Sequence, residues 1–180
     1  VEEAATHAKA VEVGPASKEG AHIGPVVNKV KWDKIQDLIQ KGIDEGAKLV
    51  AGGPGLPEGF NKGFYVRPTV FADVTNDMTI AREEIFGPVL SIMKFETEEQ
   101  AVDIANDTAY GLTNYVQSED GARRNRLARQ LRSGMVEMNG ESRGPGAPFG
   151  GMKMSGNGRE AGSWGIHDFV EVKAVSGWDV

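Results

Sequence analysis

Gly87-Pro88, followed at once by the apolar run Val89-Leu90-Ser91-Ile92, restricts this chain more than any other stretch. Pro88 fixes its own φ and pushes the chain into extended geometry, so a helix is expected to stop before it and a strand to follow. Arg82-Glu83-Glu84-Ile85-Phe86 then stands at the mouth of that strand. A carboxylate there can accept hydrogen bonds from both hydroxyls of a ribose, and a ring two residues later can lie against a flat heterocycle. Gly87 permits close backbone approach. The same residues also read as a Glu-rich helix end running into a buried strand, so the rest of the chain must decide between the two.

Periodicity organises the remainder. Val1, Ala4, Ala5, Ala8 and Val11 recur at helical spacing with no Ser, Thr, Asp or Asn before them and no initiator Met, which reads as a helix entered mid-pattern and leads us to expect a fragment. Val13 to Pro25 is a Gly/Pro/Ser-rich connection. Val27 to Gly46 predicts a long amphipathic helix with Ile35, Leu38, Ile39 and Ile43 as its apolar stripe and Gly46 as its stop. Strands are predicted at Lys48 to Ala51, Tyr65 to Phe71, Val89 to Phe95, Leu112 to Gln117, Met135 to Met138 and Asp168 to Ser176. Between them lie a short helical turn at Thr79 to Glu84, a helix opened by the capping-box pattern Thr97-x-x-Gln100, a cationic helix from Asp120 to Arg132, and a last helix at Arg159 to Gly165. In the cationic helix Leu127 and Leu131 mark the inner side, so its arginines form a solvated face. Strands alternating with helices imply an α/β fold with a largely parallel sheet.

Composition narrows the function classes. At 180 residues and 39% apolar, the chain can bury one substantial core. With 26 acidic against 20 basic residues and no basic amphipathic stretch, neither nucleic acid nor an anionic membrane surface is an expected partner. Cysteine is absent, which removes disulfides and is compatible with the cytoplasmic location we expect. His7, His22 and His167 are scattered without metal-ligand spacing, so no metal site is expected. Gly156-Asn157-Gly158 begins like a dinucleotide fingerprint but lacks its third glycine and a preceding strand. Ser163, His167 and Asp168 have no nucleophile elbow around them to make a hydrolase triad.

A second set of motifs lies near the C-terminus: Asn139, then Pro148-Phe149-Gly150-Gly151-Met152-Lys153-Met154-Ser155-Gly156-Asn157-Gly158-Arg159-Glu160. Together with Glu84-Ile85-Phe86-Gly87-Pro88, Gly63-Phe64-Tyr65-Val66-Arg67-Pro68-Thr69-Val70-Phe71, Tyr110-Gly111-Leu112 and Val170-Glu171-Val172-Lys173, in that family's order, the chain closely resembles the C-terminal part of the NAD(P)-dependent aldehyde dehydrogenases. The resemblance implies an α/β catalytic domain, partial over residues 1–167, whose largely parallel sheet is flanked by helices. It further implies a protruding strand in an oligomerisation segment, 168–180, and a dimeric or tetrameric parent. That parent would oxidise an aldehyde to a carboxylic acid with NAD or NADP, NAD being favoured.

In that family the reaction runs through thiolate attack, hydride transfer and hydrolysis assisted by a carboxylate, and the thiol and general base lie before the region matched here. A chain without cysteine is therefore expected to be inactive alone, since a serine hydroxyl without an adjacent base is a poor substitute. The alternative is a noncatalytic α/β module that serves as a binding or assembly partner. Carried over by position, Glu84 and Phe86 hold the nicotinamide ribose and border the nicotinamide, and Lys31 and Lys34 fall in the other ribose-side segment. Phe149 matches an aromatic wall of the substrate entrance, while Glu141 and Arg143 depart from members that carry aromatic residues in that loop. Their charges point to a polar or charged aldehyde, unless the two simply pair with each other at the rim.

Overall fold

A computed structural model describes residues 1–20 and 22–177, which form two compact units, Val1–Phe95 and Glu96–Val180. The first is a three-layer arrangement around a three-stranded sheet. Its elements are α1 (Glu2–Ala10), α2 (Lys29–Asp44), β1 (Lys48–Ala51), β2 (Thr69–Ala72), α3 (Thr79–Arg82) and β3 (Val89–Ser91), with strand order β1-β2-β3. β2 is the buried centre, and alternation along it assigns the layers. Val70 joins Ala5 and Ala51 under α1, whereas Phe71 joins Ile35, Ile39, Val66 and Ile80 under α2 and α3.

α2 begins and ends for identifiable reasons. Asn28 caps it, its side chain accepting a hydrogen bond from Lys31 N at 2.9 Å. At the other end Gly46 takes φ 93°, Gly46 N–H bonds Ile43 O and Ala47 N–H bonds Gly42 O, the paired bonds of a Schellman stop. Trp32 Nε1 donates to Tyr65 O at 2.8 Å and anchors the helix start to the chain entering β2.

The sheet is mixed. β2 and β3 are parallel, with Phe71 opposite Ser91, but β1 joins as an antiparallel edge with a bulge at Val50. The predicted strand from Tyr65 to Phe71 forms its ladder only from Thr69. Pro68 has no N–H to give, and the backbone before it is used elsewhere, as Tyr65 O accepts from Trp32 Nε1 and Arg67 O accepts from Thr69 Oγ1. The predicted strand from Val89 to Phe95 shortens to Ser91, although the bond from Val74 N–H to Ile92 O carries the pairing one step further.

The second unit holds α4 (Glu98–Asn106), β4 (Thr113–Val116), α5 (Gly121–Gln130), β5 (Met135–Met138) and α6 (Gly162–Gly165). β4 and β5 pair in parallel, Thr113 opposite Met135. Thr97 caps α4 by accepting from Gln100 N, but Gln100 Oε1 reaches Glu96 N–H, one residue earlier than the capping box predicts. Asn106 ties the helix ends together, its Nδ2 donating to Gln130 O and its Oδ1 accepting from Arg132 N. Tight glycine contacts replace side-chain packing around β5. A Cβ on Gly134 would lie 1.7 Å from Gly150 O, so the two backbone segments meet where only glycine fits.

Two expectations near the C-terminus are corrected. Arg159 and Glu160 are not helical, because Glu160 exchanges both backbone bonds with Phe149 and Arg159 N–H donates to Asp168 Oδ2 at 3.1 Å; the helix starts only at Gly162. The closing strand predicted at Asp168 to Ser176 is not formed: Ile166–Phe169 is a 3₁₀ turn, and residues 170–176 make no ladder. A strand exists only with a partner for its backbone groups, and Val172, 94% exposed, shows that its apolar face has none among the described residues. Residues 178–180 of the expected oligomerisation segment lie outside the described residues.

The cationic face of α5 is not merely solvated. Glu98 accepts from Arg126 Nε and Nη2, both at 2.9 Å, and from Arg123 Nε at 3.0 Å, clamping α4 to α5. The hydrogen bonds from Arg126, with Arg123 adding to them, hold the Glu98 carboxyl below its ordinary value. A depressed folded-state pKa contributes stability above the unfolded carboxylate value, and that contribution disappears as pH falls through the folded value. Denaturant unfolding from about pH 7 to about pH 3 should therefore show a larger acid-side loss in the unsubstituted chain than in Glu98→Gln, which keeps the losses from Glu12, Asp73, Asp77 and Asp120. Superimposable acid profiles for the two proteins would remove the clamp from the account.

Candidate functional site

The start of α2 and the exit from α3 bring Lys31 and Phe86 together in the first unit. After Arg82 the chain turns extended at Glu83, and Phe86 adopts φ 57°, a left-handed conformation that costs about 1–3 kcal/mol for a residue with a side chain. Gly87 explains the tight bend that follows, since a Cβ there would lie 2.9 Å from Ile35 Cδ1 on α2. The ring of Phe86 is 70% exposed, and Lys31 Nζ stands 5.6 Å from its centroid. Glu84 is exposed and has no hydrogen-bond or ion-pair partner among the described residues.

The lysines of α2 diverge in role. Lys29 is paired with Asp33, its Nζ 2.8 Å from both carboxylate oxygens. Lys31 has no carboxylate partner among the described residues and lies in a first turn that contains no acidic residue. Cations in a helix's first turn work against its dipole, so this placement is not explained by helix stability. Lys34 does not join Phe86. It lines a neighbouring groove of about 510 Å³ with Val30, Asp37, Lys41, Thr79 and Glu83.

In the second unit a cleft of about 500 Å³ lies over one face of β4 and β5, lined by Tyr115, Met135, Glu137, Arg143 and Phe149 among others. Tyr115, Met135 and Glu137 escaped the sequence reading. Their signal was alternation, which places Thr113 and Tyr115 on one face of β4 and Met135 and Glu137 on one face of β5. Phe149 is fixed by its two backbone bonds with Glu160, of 2.8 and 2.7 Å. Arg143 folds back over it, its guanidinium carbon 5.6 Å from the ring centroid and its Nη1 2.7 Å from Ala147 O. Glu141 is exposed and not part of that lining, and no Glu141–Arg143 ion pair forms among the described residues. The alternative of mutual pairing at the rim is therefore not what the loop does.

An open carboxylate, an exposed ring held by a costly backbone conformation and a cation without a carboxylate partner among the described residues therefore lie on the motif segments read from the sequence. The aldehyde dehydrogenase family profile matches residues 1–175. The chain belongs to the aldehyde dehydrogenase family. An aldehyde dehydrogenase from Bartonella henselae superimposes with a TM-score of 0.96 at 59% identity, covering 98% of this chain and 37% of that one. A variant of aldehyde dehydrogenase C from Pseudomonas syringae, solved with NAD+ and octanal, gives 0.92 at 46% identity, covering 98% of this chain and 37% of its own. The aldehyde dehydrogenase of Mycobacterium tuberculosis, solved with NAD+, gives 0.89 at 46% identity over 97% of this chain and 37% of its own. Relatives from Staphylococcus epidermidis are 49% identical over 168 residues, so this chain spans about a third, 35%, of the relatives' length.

Proposed function

We propose that this chain is the C-terminal portion of a longer enzyme that oxidises an aldehyde to a carboxylic acid with NAD or NADP, NAD being favoured because similar proteins have been solved with NAD+. The observation that carries the reading is Glu84-x-Phe86: a carboxylate without a partner among the described residues, two positions from an outward-facing ring whose backbone is strained. Strain of this kind persists where the surrounding structure over-determines it and concentrates at functional sites. The residues present fit a dinucleotide. The Glu84 carboxylate would accept from the two ribose hydroxyls, the Phe86 ring would bound the flat nicotinamide, and Lys31 and Lys34 would offer donors to ribose or phosphate oxygens. Bound there, the cofactor would supply a hydride acceptor.

On the substrate side we assign Phe149 as an aromatic wall, with Glu141 and Arg143 bringing charge to the entrance loop and favouring a polar or charged aldehyde. The position of Arg143, held over Phe149 and tied to Ala147 O, supports a fixed cation at the cleft. Residues 1–167 would belong to the catalytic domain and 168–180 would be an assembly element through which the longer protein forms a dimer or tetramer. Exposed Phe169, Val170, Val172 and Val175 support that role. Light scattering of the longer protein with and without residues 170–180 should show a fall in oligomeric mass, and an unchanged mass would refute the assignment.

Because no thiol is present, the purified 180-residue chain should reduce neither NAD nor NADP with a panel of aldehydes. Turnover above a heat-inactivated control would overturn the division of roles proposed here.

A further inference from the structure

The dipeptide Asn-Gly occurs twice, at Asn139-Gly140 and Asn157-Gly158, and the fold treats the two in opposite ways. In such a pair the glycine amide nitrogen, with no Cβ beside it, can approach the carbonyl carbon of the Asn side chain. At Asn139 that approach is blocked. Its Oδ1 accepts from Ser118 N at 2.9 Å and its Nδ2 donates to Ser118 O at 3.1 Å, which ties the amide across to the end of β4 while the backbone sits at φ 52°. Asn157 is exposed, and its side-chain amide has no hydrogen-bond partner among the described residues. The Gly158 N–H likewise donates to nothing among them.

We propose that Asn157 is a site of spontaneous deamidation and that Asn139, with the same neighbour, is protected by the fold. The Gly158 nitrogen gives up its proton and bonds to Cγ of Asn157, and the bond from Cγ to Nδ2 breaks. The side-chain nitrogen leaves as ammonia, carrying the transferred proton. Water then opens the five-membered imide at one of its two carbonyls, leaving aspartate or isoaspartate, with no oxidation or reduction at any step.

The setting gives the change a structural consequence. Gly158 O lies 2.2 Å from where a Cβ on Gly150 would be, and Arg159 Nη1 bonds the carbonyls of Gly151, Asn157 and Gly158 at 2.7, 3.1 and 2.9 Å. The isoaspartyl product inserts a methylene into the main chain at this closely packed point. It also adds a carboxylate next to Gly158, where a Cβ would stand 3.2 Å from Asp168 Oδ2, the oxygen already bonded to Arg159 N–H. The backbone pairing of Phe149 with Glu160, on the far side of the same loop, loosens as a result.

The test is to age the intact chain in mildly alkaline buffer, folded and in urea, and follow both sites by peptide mapping with isoaspartate detection. Two hydrogen bonds must break before Asn139 can react, so in the folded chain Asn157 should deamidate roughly 10- to 100-fold faster than Asn139, and urea should bring the rates together. Equal rates in the folded chain, or a gap of the same size in urea, would overturn the proposal. Amide exchange at Phe149 and Glu160 should rise in the aged folded protein and stay at its starting level in an Asn157→Ser variant aged in parallel. A rise of equal size in that variant would exclude the loop as the route.

Discussion

Phe71→Ala is expected to destabilise the Val1–Phe95 unit by about 3–5 kcal/mol, the usual range for emptying a buried phenylalanine site. Phe71 has no exposed surface, sits in the central strand between Leu49 and Ser91, and fills the space beneath α2. A Cβ on Gly42 would come within 3.2 Å of its ring, so the helix already lies as close as glycine allows and cannot settle further into the cavity without moving Ile80 as well. Phe86→Ala supplies the internal control. That ring is 70% exposed, so its removal should change stability by less than about 1 kcal/mol. Urea unfolding of both variants separates the two phenylalanines, and a loss of under about 1 kcal/mol for Phe71→Ala would mean that the core is not organised around β2 as described.

That contrast also shows what the sequence made legible. β1 and β5 fall on the residues predicted for them, because each is a short β-prone run bounded by glycine or turn residues. The stop at Gly46 and the cap at Thr97 were local patterns with local causes, and both are present. The Asn28 cap was missed because the apolar pattern suggested an earlier start, at Val27. What could not be read depended on contacts distant in sequence. Whether Arg159 and Glu160 are helical is decided by Phe149 and Asp168, and whether 168–176 is a strand is decided by a partner that local sequence does not contain.

The candidate site divides in the same way. Glu84, Phe86 and Phe149 were named from motifs, but the φ of Phe86, the approach of Lys31 and the folding of Arg143 over Phe149 are tertiary results. Lys31 and Lys34 lie three residues apart, a spacing that can put both on one side of a helix. The helix directs Lys31 to the Phe86 ring and Lys34 to the groove beside Thr79 and Glu83. Tyr115 and Met135 belong to no motif, and only the pairing of β4 with β5 brings them into one cleft.

Glu84 carries the largest expected effect on chemistry. In the longer enzyme, Glu84→Gln would replace a charged acceptor with a neutral amide of nearly the same shape, so the fold should be untouched while the grip on the ribose hydroxyls weakens. Hydrogen bonds to charged groups contribute about 1.5–3 kcal/mol, and losing most of that difference at the hydride-transfer step corresponds to a fall of roughly 10- to 100-fold in rate. The loss should appear with unaltered unfolding behaviour, because Glu84 makes no contact with a partner among the described residues whose absence could destabilise the protein. The decisive measurement is single-turnover hydride transfer, followed by nicotinamide absorbance after rapid mixing of enzyme, cofactor and aldehyde, in the wild-type and Glu84→Gln forms of the longer enzyme. A slowed hydride-transfer phase in the variant is the result predicted, and identical single-turnover rates would leave Glu84 without the cofactor role on which the proposal rests.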